Sequence, residues 1–250
     1  MSTADTETAD AFLGGRLILH QPRTGYRAGA DPVLLAAAVT ARPGQSVLDL
    51  GCGAGAAMFC LAARVPGLEM HGLEVQHLYA ALAERNAARN GIAATIHRGD
   101  LSAMPATLRA MRFDHVISNP PYHDRGTGTP STHPPRETAF GESLPLADWV
   151  ALGARRLQPR GTMSVIQKAD RLPDLITAMA TALGSIRIRP IQPREGRPAS
   201  LVIVQAIKGG RSPARLDPPL VLHTAPLHQT DNGDLSGAAR SILRDGAPLL

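Results

Sequence analysis

The glycine-rich segment from Asp49 to Gly55 is the first place where this sequence carries residue types suited to binding a ligand. It reads Asp-Leu-Gly-Cys-Gly-Ala-Gly and follows a short apolar run, Ser46–Leu50, that predicts a buried strand. Glycines let backbone N–H groups approach a ligand closely, and the N-terminus of the helix expected after the loop favours negative charge. Gly51 and Gly53 also fit a loose dinucleotide-binding pattern, so the loop alone does not decide the ligand.

Three acidic residues near the ends of successive predicted strands favour S-adenosylmethionine over NAD. Asp49 lies just before the loop, where a carboxylate can face the cationic amino group of a methionyl moiety. Glu74 ends the second strand, 23 residues after Gly51, and can accept hydrogen bonds from both ribose hydroxyls. Asp100, followed by Leu101, ends the third strand and can receive the adenine amino group. Glu74 or Asp100 could instead only cap a helix, but the three acids together favour a cofactor site.

The Asn-Pro-Pro-Tyr segment predicts how a methyl acceptor is held. The predicted strand Phe113–Ser118 runs directly into two prolines, which cannot continue a strand ladder, so the Pro120 carbonyl can point into a site. An amine on an aromatic ring is a poor nucleophile because its lone pair is delocalised. If the Asn119 oxygen and the Pro120 carbonyl accept its two hydrogens, the lone pair can turn toward a sulfonium methyl group. Tyr122 can stack on the planar group, and Pro121 completes the predicted substrate contact.

The segments around these motifs predict an α/β fold. Short apolar runs alternate with helical patterns, which is typical of βαβ units and a doubly wound, mostly parallel sheet covered on both faces. Near the end, two strand-like runs follow each other without a helix and predict a hairpin whose last strand is antiparallel. The predicted strands are 46–50, 69–74, 94–98, 113–118, 161–167, 185–191 and 200–206, and the predicted helices are 31–40, 54–64, 76–90, 101–110 and 146–157.

Together these features resemble the class I methyltransferase fold over roughly residues 28–206. The resemblance implies a Rossmann-like, seven-stranded sheet that ends in an antiparallel hairpin. The Asn-Pro-Pro-Tyr motif is similar to that of amino-methyltransferases acting on adenine N6, on guanine N2 or on the side-chain amide of protein glutamine. The motif selects a planar nitrogen acceptor and does not choose among these three.

Residues just before the first predicted sheet strand extend the resemblance. The segment Gly25–Leu35 resembles the Gly-Thr-Asp-x-x-Leu-Leu segment of the bacterial family that methylates N6 of the adenosine beside the anticodon of a valine tRNA, with Ala30 where threonine is usual. In this family the helix that begins at Asp31 is expected to lie over the cofactor, whereas the simpler alternative is a capping aspartate. The resemblance favours tRNA. The alternatives are another RNA or DNA amine, protein glutamine, or a non-catalytic RNA-binding protein.

Charge and loop composition are compatible with an RNA partner. The net charge is +5 and the pI is near 9.9, although only two of the 26 basic residues are lysines, which weakens the signal. A Gly-, Pro- and Thr-rich segment, 123–143, follows the catalytic strand and is long for an internal loop. Its Arg125 and Arg136 are predicted to contact phosphates flanking a flipped base, and Arg194 and Arg197 are weaker candidates.

Composition predicts a cytoplasmic globular chain. Hydrophobic residues make up 44% and charged residues 19%, which excludes wholesale disorder. The apolar runs are too short to cross a bilayer, and the acidic N-terminus has no signal-peptide features. Cys52 and Cys60 provide no disulfide framework, and the histidines show no metal-ligand spacing, so no metal is expected.

The chain is predicted to divide into three parts. Residues 1–27 form a frayed tail of about ten residues followed by a small hairpin or extended segment. Residues 28–208 form the methyltransferase domain. Residues 209–250 form a C-terminal extension packed on the same domain, with a strand-like run at 220–223 and a helix near 237–244. The oligomeric state is left open.

Overall fold

The alternating segments form one nine-stranded sheet in this computed structural model, which describes residues 6–121, 144–224 and 234–249. The strands are β1 (Glu7–Phe12), β2 (Leu17–Pro22), β3 (Ser46–Leu50), β4 (Glu69–Glu74), β5 (Ala94–Arg98), β6 (Phe113–Ser118), β7 (Leu157–Lys168), β8 (Gly184–Arg194), β9 (Leu201–Ile207), β10 (Arg215–Leu216) and β11 (Leu220–His223). The helices are α1 (Asp31–Ala38), α2 (Ala56–Arg64), α3 (His77–Arg89), α4 (Ala106–Ala110), α5 (Leu146–Arg156), α6 (Leu172–Ala182) and α7 (Gly237–Asp245).

The order of strands in the sheet determines where a ligand can bind. The sheet runs β10-β8-β9-β7-β6-β3-β4-β5, with β11 also paired to β8. Strands β3 to β7 are parallel, and β9 is antiparallel to both β7 and β8, so the predicted fold class and terminal hairpin are confirmed. The chain moves outward from β3 to β5 and then returns to β6 on the other side of β3. Open α/β sheets bind ligands at such a switch point, outside the carboxyl ends of the strands.

Two hydrophobic cores cover the two faces of this sheet. Val47 and Ile117 belong to one core, together with residues of α1 and α2. Their neighbours Leu48 and Val116 belong to the other core, together with residues of α5 and α6. Because the central strands are buried on both faces, neighbouring apolar residues of β3 and β6 face opposite cores.

The prediction of a frayed N-terminus is wrong from Glu7 onward. Residues Glu7–Phe12 form β1, which pairs antiparallel with β2. The charges that suggested a solvated tail are matched by partners: Glu7 pairs with Arg85, and Asp10 pairs with Arg27 at 2.8 Å. A polar strand of this kind gives no hydrophobic alternation in the sequence.

Two asparagines, Asn86 in α3 and Asn90 directly after it, hold β2 in place by bonding to its backbone as a neighbouring strand would. The Asn86 amide accepts from the His20 N–H at 2.7 Å and donates to the His20 carbonyl at 3.0 Å. The Asn90 amide makes the same pair of bonds with Ile18, both at 3.0 Å. Asn86 Nδ2 also donates to the Ala54 carbonyl in the glycine loop at 3.0 Å, so the hairpin is anchored beside that loop.

The C-terminal extension is tied to the edge of the sheet. Strands β10 and β11 both pair in parallel with β8, so nine strands replace the seven that the resemblance implied. The predicted strand at 220–223 and the helix near 237–244 are confirmed, whereas β10 was not predicted. Leu220 and Ile242 enter the same core as α1, and the Leu249 N–H donates to the Ala37 carbonyl at 2.8 Å. The domain boundaries near residues 28 and 209 stay a prediction.

The largest departures from the predicted helices are at α2, α4 and α6, while the bounds of α1, α3 and α5 differ from the prediction by one or two residues. Helix α2 begins at Ala56 because Gly55, with φ of 89°, has a left-handed conformation that a helix cannot contain. Helix α4 covers only Ala106–Ala110 because the turn at Asp100 and Ser102 precedes it. Helix α6 was not predicted. None of the described helices is both long enough and apolar enough to cross a membrane.

Candidate active site

The glycine loop leaves β3 at the switch point and turns sharply into α2. Leu50, the last residue of β3, lies opposite Ser118 of β6, so the glycine loop and the Asn-Pro-Pro segment leave the sheet side by side. The Gly51 N–H donates to the Leu73 carbonyl at 2.9 Å and ties the loop to β4. Gly53 has φ of 55°, and a Cβ there would meet open space, so its backbone is accessible to a ligand.

Glu74 holds the loop from the end of β4. Its Oε2 accepts from the Gly53 N–H at 2.9 Å, and its Oε1 accepts from the Gln76 N–H at 2.8 Å. The residue is buried, and burial raises the pKa of its carboxyl despite these hydrogen bonds. A carboxylate offers about four lone-pair directions, so both oxygens can accept further hydrogen bonds. The predicted ribose contact is compatible with this geometry.

Asp49 has a buried carboxyl group that pairs with no cation of the described residues. The residue is 2% exposed, and its Oδ2 has no hydrogen-bond partner among the described residues. Burial, and to a smaller extent the negative charge of Glu74, raises the pKa of Asp49 to about 7, while the Met58 N–H opposes this shift. A buried, unpaired carboxylate is costly unless a ligand supplies donors or positive charge. The amino group of S-adenosylmethionine fits this requirement.

Asp100 follows the third of the predicted strands, but its carboxylate already accepts hydrogen bonds within a turn. Its Oδ1 accepts from both the N–H and the hydroxyl of Ser102, each at 2.6 Å, and these bonds lower the pKa of Asp100. The residue is exposed, whereas the next residue, Leu101, is buried. The Gly99 N–H donates to the Glu74 carbonyl at 3.0 Å, so Asp100 is held near the end of β4.

Asn119 presents an unused acceptor directly after β6. Its Nδ2 donates to the Tyr26 hydroxyl at 3.1 Å, while its buried Oδ1 has no partner within the described part of the chain. Pro120 is buried and Pro121 is exposed. The arrangement has the acceptor that the predicted amine contact requires.

Two aromatic residues of the site were not predicted to belong to it. Trp149, the one tryptophan of the chain, packs over the loop so closely that a Cβ on Gly51 would lie 3.0 Å from its ring. Its Nε1 donates to Ser118 Oγ at 2.8 Å, and Ser118 Oγ donates to the Leu50 carbonyl at 2.8 Å. This chain of bonds fixes the ends of β3 and β6 relative to each other. The sequence offered one signal for these two residues: aromatic residues make up only 3% of the chain, so each of them stands out.

Tyr26 approaches Asn119 from the segment before α1. The residue is 40% exposed, and burial together with the negative charges of Asp31 and Asp49 raises the pKa of Tyr26 to about 12. Asp31 begins α1 and is partly buried. The charges of Asp31 and Asp49 therefore both act on Tyr26, and the position of α1 over the cofactor stays a prediction.

Comparison with known proteins decides the family. The family described as "Methyltransferase small domain" matches residues 29–135. A protein of Porphyromonas gingivalis named tRNA1(Val) (adenine(37)-N6)-methyltransferase is 32% identical over 69% of this chain and 70% of its own length. The chain belongs to the tRNA1(Val) (adenine(37)-N6)-methyltransferase family.

A second relative of the same name and a solved methyltransferase structure support this membership. A protein of the same name from Dickeya chrysanthemi is 26% identical over 94% of this chain and 92% of its own length. The solved structure of an Agrobacterium tumefaciens protein, described as a predicted O-methyltransferase, superposes with a TM-score of 0.69 at 27% identity, covering 88% of this chain and 98% of that one. The predicted enzyme class, an S-adenosylmethionine-dependent methyltransferase of the class I fold, is confirmed.

The predicted RNA contacts of this methyltransferase are partly outside the described residues. The predicted contacts that lie outside the described residues are Tyr122, Arg125 and Arg136. Arg194, at the end of β8, donates to Asp234 at 2.7 Å and its side chain is only 14% exposed. That pairing makes Arg194 a structural tie to the C-terminal extension, whereas Arg197 is exposed.

Proposed function

We propose that this chain methylates the exocyclic N6 amine of an adenosine in a tRNA, and specifically adenosine 37 of a valine tRNA. The proposal rests on the relative that bears this activity in its name and aligns with more than two thirds of both chains. The buried, unpartnered Oδ1 of Asn119 beside the glycine loop supports the same chemistry. That oxygen requires a donor, and an amine supplies one.

The cofactor contacts follow from the charges at the strand ends. When bound, S-adenosylmethionine supplies an electrophilic methyl group: the amine lone pair forms the new N–C bond, the S–C pair returns to sulfur, and the product releases a proton to water. Asp49 holds the methionyl amino group, Glu74 accepts from the ribose hydroxyls, and Asp100 with Leu101 receives the adenine. Val75, a large apolar residue that is 55% exposed directly after Glu74, offers a surface for the adenine ring.

The acceptor is activated by hydrogen bonding rather than by a base. Asn119 Oδ1 and the Pro120 carbonyl accept the two hydrogens of the amine and turn its lone pair away from the aromatic ring. Such preorganised contacts act mainly in the transition state. Pro121 and Tyr122 contact the face of the extruded base, and Arg125 and Arg136 contact the flanking phosphates.

An acceptor with two hydrogens is favoured over one with a single hydrogen. An alcohol or phenol would leave one of the two oxygens, on Asn119 and Pro120, without a donor. An oxygen acceptor, as implied by the name of the Agrobacterium protein, is therefore a weaker candidate here. Amines of other RNA or DNA bases and the glutamine amide share the two-hydrogen geometry, so the choice among them requires a substrate comparison.

A parallel methylation assay tests the proposal. The purified chain and radiolabelled S-adenosylmethionine are incubated with a valine tRNA transcript, the same transcript with guanosine at position 37, small-subunit ribosomal RNA, adenine-containing duplex DNA, and a glutamine-containing peptide. The proposal predicts label in the first transcript and not in the second. Label in both transcripts, or only in one of the other substrates, would overturn it.

A further inference from the structure

We infer that Tyr26 is a positioning residue that fixes the orientation of the Asn119 side-chain amide, so that its oxygen faces the acceptor amine. The inference rests on the amine chemistry of the proposed function. It adds a residue that lies 93 positions earlier in the chain and contacts the site through Asn119.

The orientation of this amide matters because its two ends have opposite hydrogen-bonding character. The nitrogen is a double donor and the oxygen is an acceptor. In the observed orientation Nδ2 donates to the Tyr26 hydroxyl at 3.1 Å, and Oδ1 is the buried end without a partner among the described residues. A rotation by a half turn would present an NH2 group to the acceptor's own NH2 group. Two donors would then face each other, and the acceptor could not be held.

The surroundings of Tyr26 explain why its oxygen accepts from Asn119 rather than donating. A hydroxyl can do either, so on its own it would tolerate both amide orientations. Asp31 and Asp49 act electrostatically on the hydroxyl, and their negative charge attracts its hydrogen. The oxygen then accepts a hydrogen bond from Nδ2 of Asn119. The pKa of Tyr26, raised to about 12, keeps the hydroxyl protonated at any physiological pH.

The N-terminal hairpin holds Tyr26 in this position. The Tyr79 hydroxyl donates to the Tyr26 carbonyl at 2.9 Å. Directly after Tyr26, the Ala28 N–H donates to Gln21 of β2 at 2.7 Å, and Arg27 donates to Asp10 of β1 at 2.8 Å. These bonds tie Tyr26 itself to α3 and the two residues that follow it to the hairpin. The inference therefore gives the hairpin a role in the chemistry.

The first test compares Tyr26→Phe, which removes only the hydroxyl, with the wild-type chain. Loss of one hydrogen bond predicts a kcat about tenfold lower, while the Kd for S-adenosylmethionine, measured by calorimetry, stays within about twofold. An unchanged kcat would overturn the inference. A Kd that weakens as much as kcat falls would assign Tyr26 to general folding of the site instead.

A double-mutant cycle separates orientation from packing. The carboxylate of Asn119→Asp has two equivalent oxygens, so it presents an acceptor in either orientation. If Tyr26 acts by orienting the amide, adding Tyr26→Phe to Asn119→Asp should change the residual kcat by less than about twofold. The same tenfold loss in both backgrounds would contradict the inference.

An NMR measurement that does not depend on turnover covers the case in which kcat is too low to measure. The side-chain NH2 signals of Asn119 in a 15N-labelled chain are identified by their absence in Asn119→Asp. Tyr26→Phe should shift these signals, whereas Thr181→Val, which removes an exposed hydroxyl of α6, should leave them in place. Unshifted Asn119 signals in Tyr26→Phe would refute the contact. Wild-type activity on the substrate panel is scored separately, so failure of the proposed tRNA substrate does not decide this result.

Discussion

The buried carboxyl of Asp49 lies close enough to that of Glu74 for the negative charge of Glu74 to help raise its pKa to about 7. Asp49 is the last but one residue of β3, and Glu74 is the last residue of the parallel neighbour β4, in which Leu73 lies opposite Leu50. Two acids side by side in a buried site destabilise each other's charged forms. A ligand that brings a positive charge to Asp49 relieves this repulsion, and several measurable consequences follow from that relationship.

The affinity for S-adenosylmethionine should rise with pH. Below about pH 7 Asp49 of the free protein is protonated, and a bound ammonium group favours the ionised form, so binding must release a proton. Between pH 6 and pH 8 we expect the affinity to increase by about tenfold. Calorimetry in buffers of different ionisation enthalpy measures both the affinity and the released proton. Asp49→Asn should bind more weakly and lose the pH dependence, and a retained dependence would show that another group titrates.

The contribution of Asp49 to the free energy of unfolding of the cofactor-free chain should fall as pH rises, whereas the affinity for the cofactor rises. The folded-state pKa of Asp49 is above its ordinary value of 3.8, so the folded state binds this proton more tightly than the unfolded state. Stability from this group is therefore present at low pH and is lost as pH rises from about 4 through 7, at about 1.4 kcal/mol for each pKa unit. Urea unfolding at pH 5 and pH 8 should show Asp49→Asn gaining free energy of unfolding relative to wild type at the higher pH. Equal differences at both pH values would contradict this.

Replacing Glu74 should weaken cofactor binding more than it disturbs the fold. Glu74→Ala removes the acceptor for the Gly53 N–H and for the proposed ribose hydroxyls, an expected loss of about 1.5–3 kcal/mol in affinity. Glu74→Gln keeps one acceptor oxygen and should give an intermediate affinity. Isothermal titration with S-adenosylmethionine measures both variants. Affinity equal to wild type in Glu74→Ala would remove this residue from the site.

Removing the Asn119 amide should affect turnover while leaving the cofactor bound. Asn119→Ala is expected to lower kcat by about 10²–10³, which is typical for one preorganised polar contact in a transition state. Asn119→Asp should retain part of the activity because a carboxylate still accepts hydrogen bonds. Single-turnover kinetics on tRNA and cofactor titration together check this prediction. Normal turnover by the alanine variant would show that the amine is held by other groups.

Arg125 and Arg136 should contribute to RNA binding through charge. Replacing both with alanine should raise KM more than it lowers kcat and should flatten the dependence of log K on log salt by about 0.7 for each lost phosphate contact. The double variant Arg109→Ala with Arg155→Ala is a matched control. Both arginines are exposed and lie in the last turns of α4 and α5, which lead into the amino ends of β6 and β7, whereas the candidate site is at the carboxyl ends. Equal effects in both double variants would indicate a general charge effect only.

The sequence predicted the site residues whose positions depend on local pattern, and missed those that depend on long-range contact. Strands β3, β4 and β6 were predicted to the residue, and Asp49, Glu74 and Asn119 occupy or directly follow their ends. The contact between Tyr26 and Asn119 joins residues 93 positions apart, and no spacing rule reports it. Strand β1 escaped prediction because its polar side chains are satisfied by tertiary partners rather than by burial.

Identification of the methylated atom tests the central claim most directly. Valine tRNA treated with the wild-type chain and S-adenosylmethionine is digested to nucleosides and to fragments, and both are compared by mass spectrometry with standards for N6-, N1- and C2-methyladenosine. The account predicts N6-methyladenosine at position 37, absent when Asn119→Ala is used at equal time. A methyl group on a ring atom, on ribose or on another nucleotide would contradict it.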